Sequence, residues 1–190
     1  MCRQPKRIMK KLSALLLLLL FISGCASSAQ KRSLKDLPDV DFSVEIPGGW
    51  WKPARVNKYL ITRDGAIKQY VLIQQRPIDR PFRHTKKTIN RGMLPQEAAG
   101  IIIDEIASDR YILNFMVLEN TPAVIDGNAG FKILFTYGDK KGSSYRTLYY
   151  GFIRGDSFYN LRYNAKLQYY NDKDLADFKA ILKSFQLVNR

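Results

Sequence analysis

The side chains able to do chemistry are few and scattered. His84 is the single histidine of the chain. A histidine-based metal site wants further histidines or carboxylates at helix or hairpin spacing. None stands near it, so His84 reads as an exposed loop residue. A Ser-His-Asp triad would have to recruit that same histidine, and the chain has no G-x-S-x-G turn. Ser143 and Ser144 follow Gly142 in a predicted hairpin, not between a strand and a helix. Neither common glycine-rich phosphate loop occurs. Carboxylates form two groups. Asp104, Glu105 and Asp109 sit on a predicted helix, where Asp104 and Asp109 are not three or four apart and so do not stack. Asp172, Asp174 and Asp177 open a second predicted helix, where acids in the first turn complement the dipole. The residues argue against an enzyme, and no cofactor and no metal site is expected.

Charge is the one feature above background. Arg76, Arg80, Arg83, Lys86, Lys87 and Arg91 face Asp79 alone within residues 76–91. Such a loop suits anionic lipid headgroups, an anionic glycan or an acidic protein face, each cation near an anionic surface contributing about 1 kcal/mol. The bland alternative is a solvated loop. A second candidate is aromatic: Trp50-Trp51 and Tyr169-Tyr170 could line a pocket for a small ligand or lipid, although core packing accounts for most of the aromatic residues.

The 190 residues carry 31 Lys+Arg against 17 Asp+Glu, with 46% hydrophobic and 12% aromatic content. That excludes a disordered or collagen-like chain and leaves room for one domain. Residues 1–24 read as a secretion signal. Arg3, Lys6, Arg7, Lys10 and Lys11 precede an apolar run from Leu12 to Ile22, too short for a bilayer span of about 20 residues and suited to a signal peptide. Ile22-Ser23-Gly24-Cys25 resembles the lipobox of bacterial lipoproteins. The resemblance implies cleavage before Cys25, a thioether to diacylglycerol there, and acylation by chains such as palmitate. Ala26 in place of Asp implies sorting to the outer membrane, facing the periplasm. In that compartment nucleic acid is not an expected partner. Cys2 would leave with the leader and Cys25 would carry lipid, so no disulfide is expected. Without the leader, 26 basic residues remain against 17 acidic. Residues 25–39 are polar, lack periodicity and read as a tether.

Residues 40–190 read as strands with two helices. Val40, Phe42, Val44 and Ile46 alternate with polar residues, as in a half-buried strand. Tyr59 to Thr62, Asp64-Gly65, and Ile67 to Gln74 read as a hairpin with a type I′ turn. The first helix is predicted from Pro95 to about Asp109, with Ala99, Ile102, Ile103 and Ile106 on one face. Strands follow from Asn114 towards Ile125, with Pro122 as a break or an edge, then around Phe131–Tyr137, Tyr145–Ile153 and Phe158–Ala165. Tyr145, Tyr149 and Ile153 fall on one side of their strand, and Leu148, Tyr150 and Phe152 on the other. A sheet apolar on both faces must be covered on both. Asn171 caps a second helix from Asp172 to Ser184, with Leu175, Phe178, Ile181, Leu182 and Phe185 as its stripe.

The order of these pieces resembles the PsbP-like superfamily. The residues that carry the likeness are Phe42-Ser43-Val44-Glu45-Ile46-Pro47-Gly48-Gly49-Trp50, Leu94-Pro95-Gln96-Glu97-Ala98, Ile125-Asp126-Gly127-Asn128-Ala129-Gly130 and Ile181-Leu182-Lys183-Ser184-Phe185. It implies an α+β fold, an antiparallel β-sheet covered by helices in an α/β/α sandwich shared with a eukaryotic Ran-binding import factor. Members are mostly binding or assembly proteins. The expectation is therefore a lipid-anchored envelope protein that binds an envelope protein or an anionic lipid or glycan. A small-ligand or lipid-binding lipoprotein is the alternative, and a hydrolase a more distant one.

Overall fold

A computed structural model describes residues 32–33, 41–54 and 59–188. The leader, Ile22-Ser23-Gly24, Cys25 and all of the expected tether except Arg32 and Ser33 lie outside the described residues. Four short strands come first: β1 (Arg32–Ser33), β2 (Phe42–Ser43), β3 (Glu45–Ile46) and β4 (Leu60–Ile61). The longer elements are β5 (Gln69–Pro77), α1 (Pro95–Ala107), β6 (Leu113–Ile125), β7 (Asn128–Gly138), β8 (Ser144–Arg154), β9 (Ser157–Lys166) and α2 (Asp172–Ser184). A short β10 (Gln186–Leu187) ends the described chain.

Six strands form one antiparallel sheet in the order β4-β5-β9-β8-β7-β6. The order explains the topology. After β5 the chain crosses the sheet through the basic loop and α1, starts again at the far edge with β6, and returns by successive hairpins until β9 lies beside β5. Asp126 and Gly127 make the β6–β7 turn with φ of 46° and 72°, the two positive angles that a type I′ turn requires. Pro122 is tolerated because β6 is an edge strand.

Each sheet face carries its own apolar cluster. Strand alternation sends Leu148, Phe152, Leu161 and Tyr163 to one face, where they meet Phe178, Ile181 and Phe185 from α2 and the residue after it. Tyr149, Phe131, Ile133, Phe135 and Phe158 point the other way and meet Ala98, Ala99 and Ile102 of α1. Phe178 and Ile181 are fully buried, and each such side chain contributes roughly 1.5–3 kcal/mol. Asn171 caps α2, its side chain accepting the Asp174 N–H at 2.9 Å. Glu97 reaches back to accept the Leu94 N–H at 2.8 Å, the reciprocal half of a capping box. No helix among the described residues is long and apolar enough to cross a membrane.

Two local expectations are corrected. Val40 lies outside the described residues, and residues 42–46 do not form one alternating strand: Phe42, Ser43 and Val44 are all buried in succession. The segment divides instead, β2 pairing with β10 and β3 with β1, apart from the main sheet. Contacts with the end of α2 drive this, including a bond from the Glu45 N–H to Ser184 Oγ at 2.9 Å. Arg32 and Ser33, inside the expected tether, pair with Ile46 and Glu45. The β4–β5 connection is a hairpin, but not through a type I′ turn. Gly65 has φ of 100° while Asp64 keeps a negative φ, and the Lys68 and Gln69 N–H groups both donate to the Gly65 carbonyl.

Candidate functional site

The basic segment between β5 and α1 is packed against the body of the protein, with its cations largely at the surface. Ile78, Phe82 and Ile89 are buried under it, and the Phe82 N–H donates to the Lys87 carbonyl at 2.8 Å. The acids of α1 hold it down. Glu105 accepts the His84 N–H at 3.0 Å, the Thr85 N–H at 2.9 Å and the Thr85 hydroxyl at 3.0 Å. Partial burial opposes ionisation of Glu105, but these donors outweigh it and hold its carboxyl below the usual range. Lys87 Nζ donates to Asp104 Oδ2 at 2.6 Å. His84 Nε2 lies 3.7 Å from Asp109 Oδ2, so His84 is half-buried rather than exposed.

That docking sorts the six loop cations. Lys87 pairs with Asp104, and Arg91 forms a bidentate pair with Asp156. Neither lines the cleft described next. Arg76, Arg80, Arg83 and Lys86 line one half-open cleft of about 610 Å³ between the loop, the edge of α1 and the β5–β9 side of the sheet. Arg76 lies over the Phe82 ring at 3.7 Å and donates to the Arg80 carbonyl. Burial, then the neighbouring Arg80, lowers the pKa of the Arg76 guanidinium.

The floor comes from strands. Arg162 and Asn160 of β9 project onto this face, with Leu72 and Gln74 opposite them on β5 and Tyr149 beside Arg162 on β8. Asn160 is only 4% exposed, and its Oδ1 has no partner; Arg162 Nε is likewise buried without one. The sequence expectation missed Arg162 and Asn160. The signal was present: Asn160, Arg162 and Asn164 alternate with Tyr159, Leu161, Tyr163 and Ala165, a polar stripe on a strand read only as apolar. Among the described residues Glu105 is the only carboxylate lining the cleft, and it accepts from loop donors. Tyr149 is buried, which pushes its hydroxyl pKa up. The arrangement suits binding of an anion.

Other candidates resolve structurally. Asp174 and Asp177 do more than complement the helix dipole: both pair with Arg63, Asp174 at 2.7 Å. Trp50 donates its indole N–H to Asp177 at 3.0 Å and is 4% exposed. It belongs to the core and not to a ligand pocket. Trp51 is 47% exposed, with its indole N–H on the Arg63 carbonyl. Among the described residues no three His, Cys, Asp or Glu side chains converge as a cation site needs.

The chain is thus an α+β protein with an antiparallel sheet, two longer helices and a cationic cleft against one face of the sheet. Its fold is PsbP-like. Among solved structures it is similar to the cyanobacterial PsbP protein (CyanoP) of Synechocystis, with a TM-score of 0.57 and 12% identity over 86% of this chain and 96% of that one. It is similar to LpqN, involved in cell envelope biogenesis of Mycobacterium tuberculosis, with a TM-score of 0.57 and 11% identity over 84% and 91% of the two chains. A point variant of Mog1 gives a TM-score of 0.56 and 9% identity over 84% and 96%. These identities establish the shared fold alone. No family model and no curated protein sequence matches the chain.

Proposed function

We propose that this chain is a lipid-anchored protein of the cell envelope, held through Cys25 in the outer membrane and facing the periplasm, that acts by binding and not by turnover. In this reading the two helices cover the sheet as an α/β/α sandwich, and the chain serves as an accessory to another envelope component. The observation that carries it is the cleft: Arg76, Arg80, Arg83, Lys86 and Arg162 line one space, and none has a carboxylate partner at ion-pair distance among the described residues. Five cations gathered around one carboxylate suit an anionic partner. The likeness to LpqN, described as acting in envelope biogenesis, is compatible with that role.

The test isolates the lipidated protein from membranes in mild detergent and identifies what accompanies it. One variant carries Arg80→Glu, Arg83→Glu and Lys86→Glu, and a second carries Lys87→Gln and Arg91→Gln. The reading expects an anionic component that is lost from the first variant, retained by the second, and released by salt. Equal retention in both would overturn it. Cys25→Ser is expected to leave an unlipidated chain that no longer fractionates with membranes, read by mass spectrometry of the N-terminus.

A further inference from the structure

We propose that the cleft is a site for a phosphate monoester, the dianionic phosphoryl group at the end of a phosphorylated lipid or of a soluble polyol phosphate. The inference rests on the binding reading above and assigns its ligand. Three observations select this chemistry.

The first is charge. The cleft holds the cations of Arg76, Arg80, Arg83, Lys86 and Arg162 against Glu105 alone, whose oxygens already accept from His84 and Thr85. One carboxylate or one phosphodiester brings a single negative charge. A phosphate monoester brings roughly −1.5 to −2 at pH 7, with three acceptor oxygens. It fits guanidinium forks, which donate in a plane to two oxygens at once.

The second is the unmet polar chemistry of the floor. Asn160 is 4% exposed and its Oδ1 lacks a donor, while Arg162 Nε lacks an acceptor. They stand two apart on β9, so they project to the same face of the sheet. Buried polar groups are normally satisfied, and exceptions call for an explanation. Once the side chains that close these two atoms from solvent shift, a phosphoryl oxygen answers Arg162 Nε and a hydroxyl of the ester's polyol answers Asn160 Oδ1.

The third is preorganisation. The roof is not a free loop that must order on binding. Glu105 fixes its backbone, Phe82 and Ile89 bury its apolar side, and Lys86 Nζ donates to the Arg83 carbonyl at 2.8 Å. A held constellation of cations loses less entropy on binding than a mobile one. The volume of about 610 Å³ lies within the usual range for small-molecule sites.

The experiment uses the full lipidated protein in non-ionic detergent for soluble ligands and reconstituted on vesicles for lipids. Glycerol 3-phosphate, a monoester, and glycerophosphoglycerol, a diester, are each titrated calorimetrically. Phosphatidylcholine vesicles carrying phosphatidic acid, a monoester, are compared with vesicles carrying phosphatidylglycerol, a diester, at matched surface charge. The protein is expected to prefer the monoester by about tenfold in at least one arm, a factor that guanidinium geometry supplies. Whichever arm saturates identifies the source as lipid or soluble. Arg162→Lys keeps the charge but loses the fork, and is expected to erase the preference. Arg80→Gln with Arg83→Gln, both at exposed positions that leave folding intact, is expected to weaken binding at least tenfold, and Lys87→Gln to leave it unchanged. Equal binding of monoester and diester, or binding indifferent to the Arg80 and Arg83 changes, would overturn the assignment. If neither probe binds while the charge-reversed protein still loses its co-purified component, the accessory reading stands and this one falls.

Discussion

The carboxylate of Glu105 on α1 accepts the backbone N–H of Thr85 at 2.9 Å, joining two residues separated by the whole run-in to the helix. The same carboxylate takes the His84 N–H and the Thr85 hydroxyl. One side chain therefore anchors residues 84 and 85 of the basic segment, beside the buried Ile78, Phe82 and Ile89. It also explains why an acid lines an otherwise cationic cleft: its role is to hold the loop that carries the cations.

Glu105→Ala is expected to release residues 83–86 while leaving the sheet folded. A charged hydrogen bond contributes about 1.5–3 kcal/mol where buried. This site is partly exposed, so the loss of stability should be about 1–2 kcal/mol. Amide exchange at His84 and Thr85 should accelerate far more than exchange in β8 or β9. Equal protection of the loop in the variant would contradict the anchoring role.

The same anchor predicts a pH dependence. The Glu105 carboxyl is held below its ordinary value in the folded protein. Its contribution is thus fully present above the unfolded value of about 4.3 and is lost as pH falls through the lowered folded value. Between neutral pH and pH 5 the loop should stay protected. Below the unfolded value the loop should open progressively as Glu105 takes up its proton, and Glu105→Ala should abolish that difference. Amide exchange across this range measures both.

Arg63→Met should destabilise the domain strongly. Arg63 bridges Asp174, which is 2% exposed, and Asp177. Removing the cation leaves Asp174 buried with only neutral donors, Asn171 Nδ2 at 2.9 Å and Gln69 Nε2 at 3.3 Å. Breaking a buried pair in this way costs about 3–5 kcal/mol. Urea unfolding should show a lower midpoint with an unchanged slope. Asp177→Asn, at a more exposed site, should lose about 1 kcal/mol.

Gly130→Ala tests the packing of the sheet. A Cβ at Gly130 would lie 2.4 Å from the Gly151 carbonyl oxygen and 2.8 Å from Ile125 Cδ1. The oxygen belongs to the paired strand and cannot swing away, so a loss of about 3 kcal/mol is expected, at the upper end for overpacking. Gly142→Ala meets nothing within 4 Å but sits at φ of 80°, and should cost only about 1–2 kcal/mol of backbone strain. Thermal unfolding of the two variants would rank them.

What the sequence by itself determined were the features set by short-range pattern. The apolar spacing of Ala99, Ile102 and Ile106, the Asn171 cap, and the two-residue alternation of β7 to β9 all lie within one window of chain. Helix and strand follow from such windows because their periods are local. Its errors were local choices overridden from afar. Val40 to Ile46 has strand alternation, yet contacts with the end of α2 divide it. Asp64-Gly65 and Asp126-Gly127 are the same dipeptide, yet only the second adopts two positive φ angles. The site was decided by tertiary structure. Six cations were visible as a run, but only the return of β9 beside β5 brought Arg162 and Asn160 beneath Arg76, and only docking on α1 drew Lys87 to Asp104. Charge can be counted along a chain. Which charges are neutralised depends on partners brought near by the fold, because ion pairs form through space over a few ångströms.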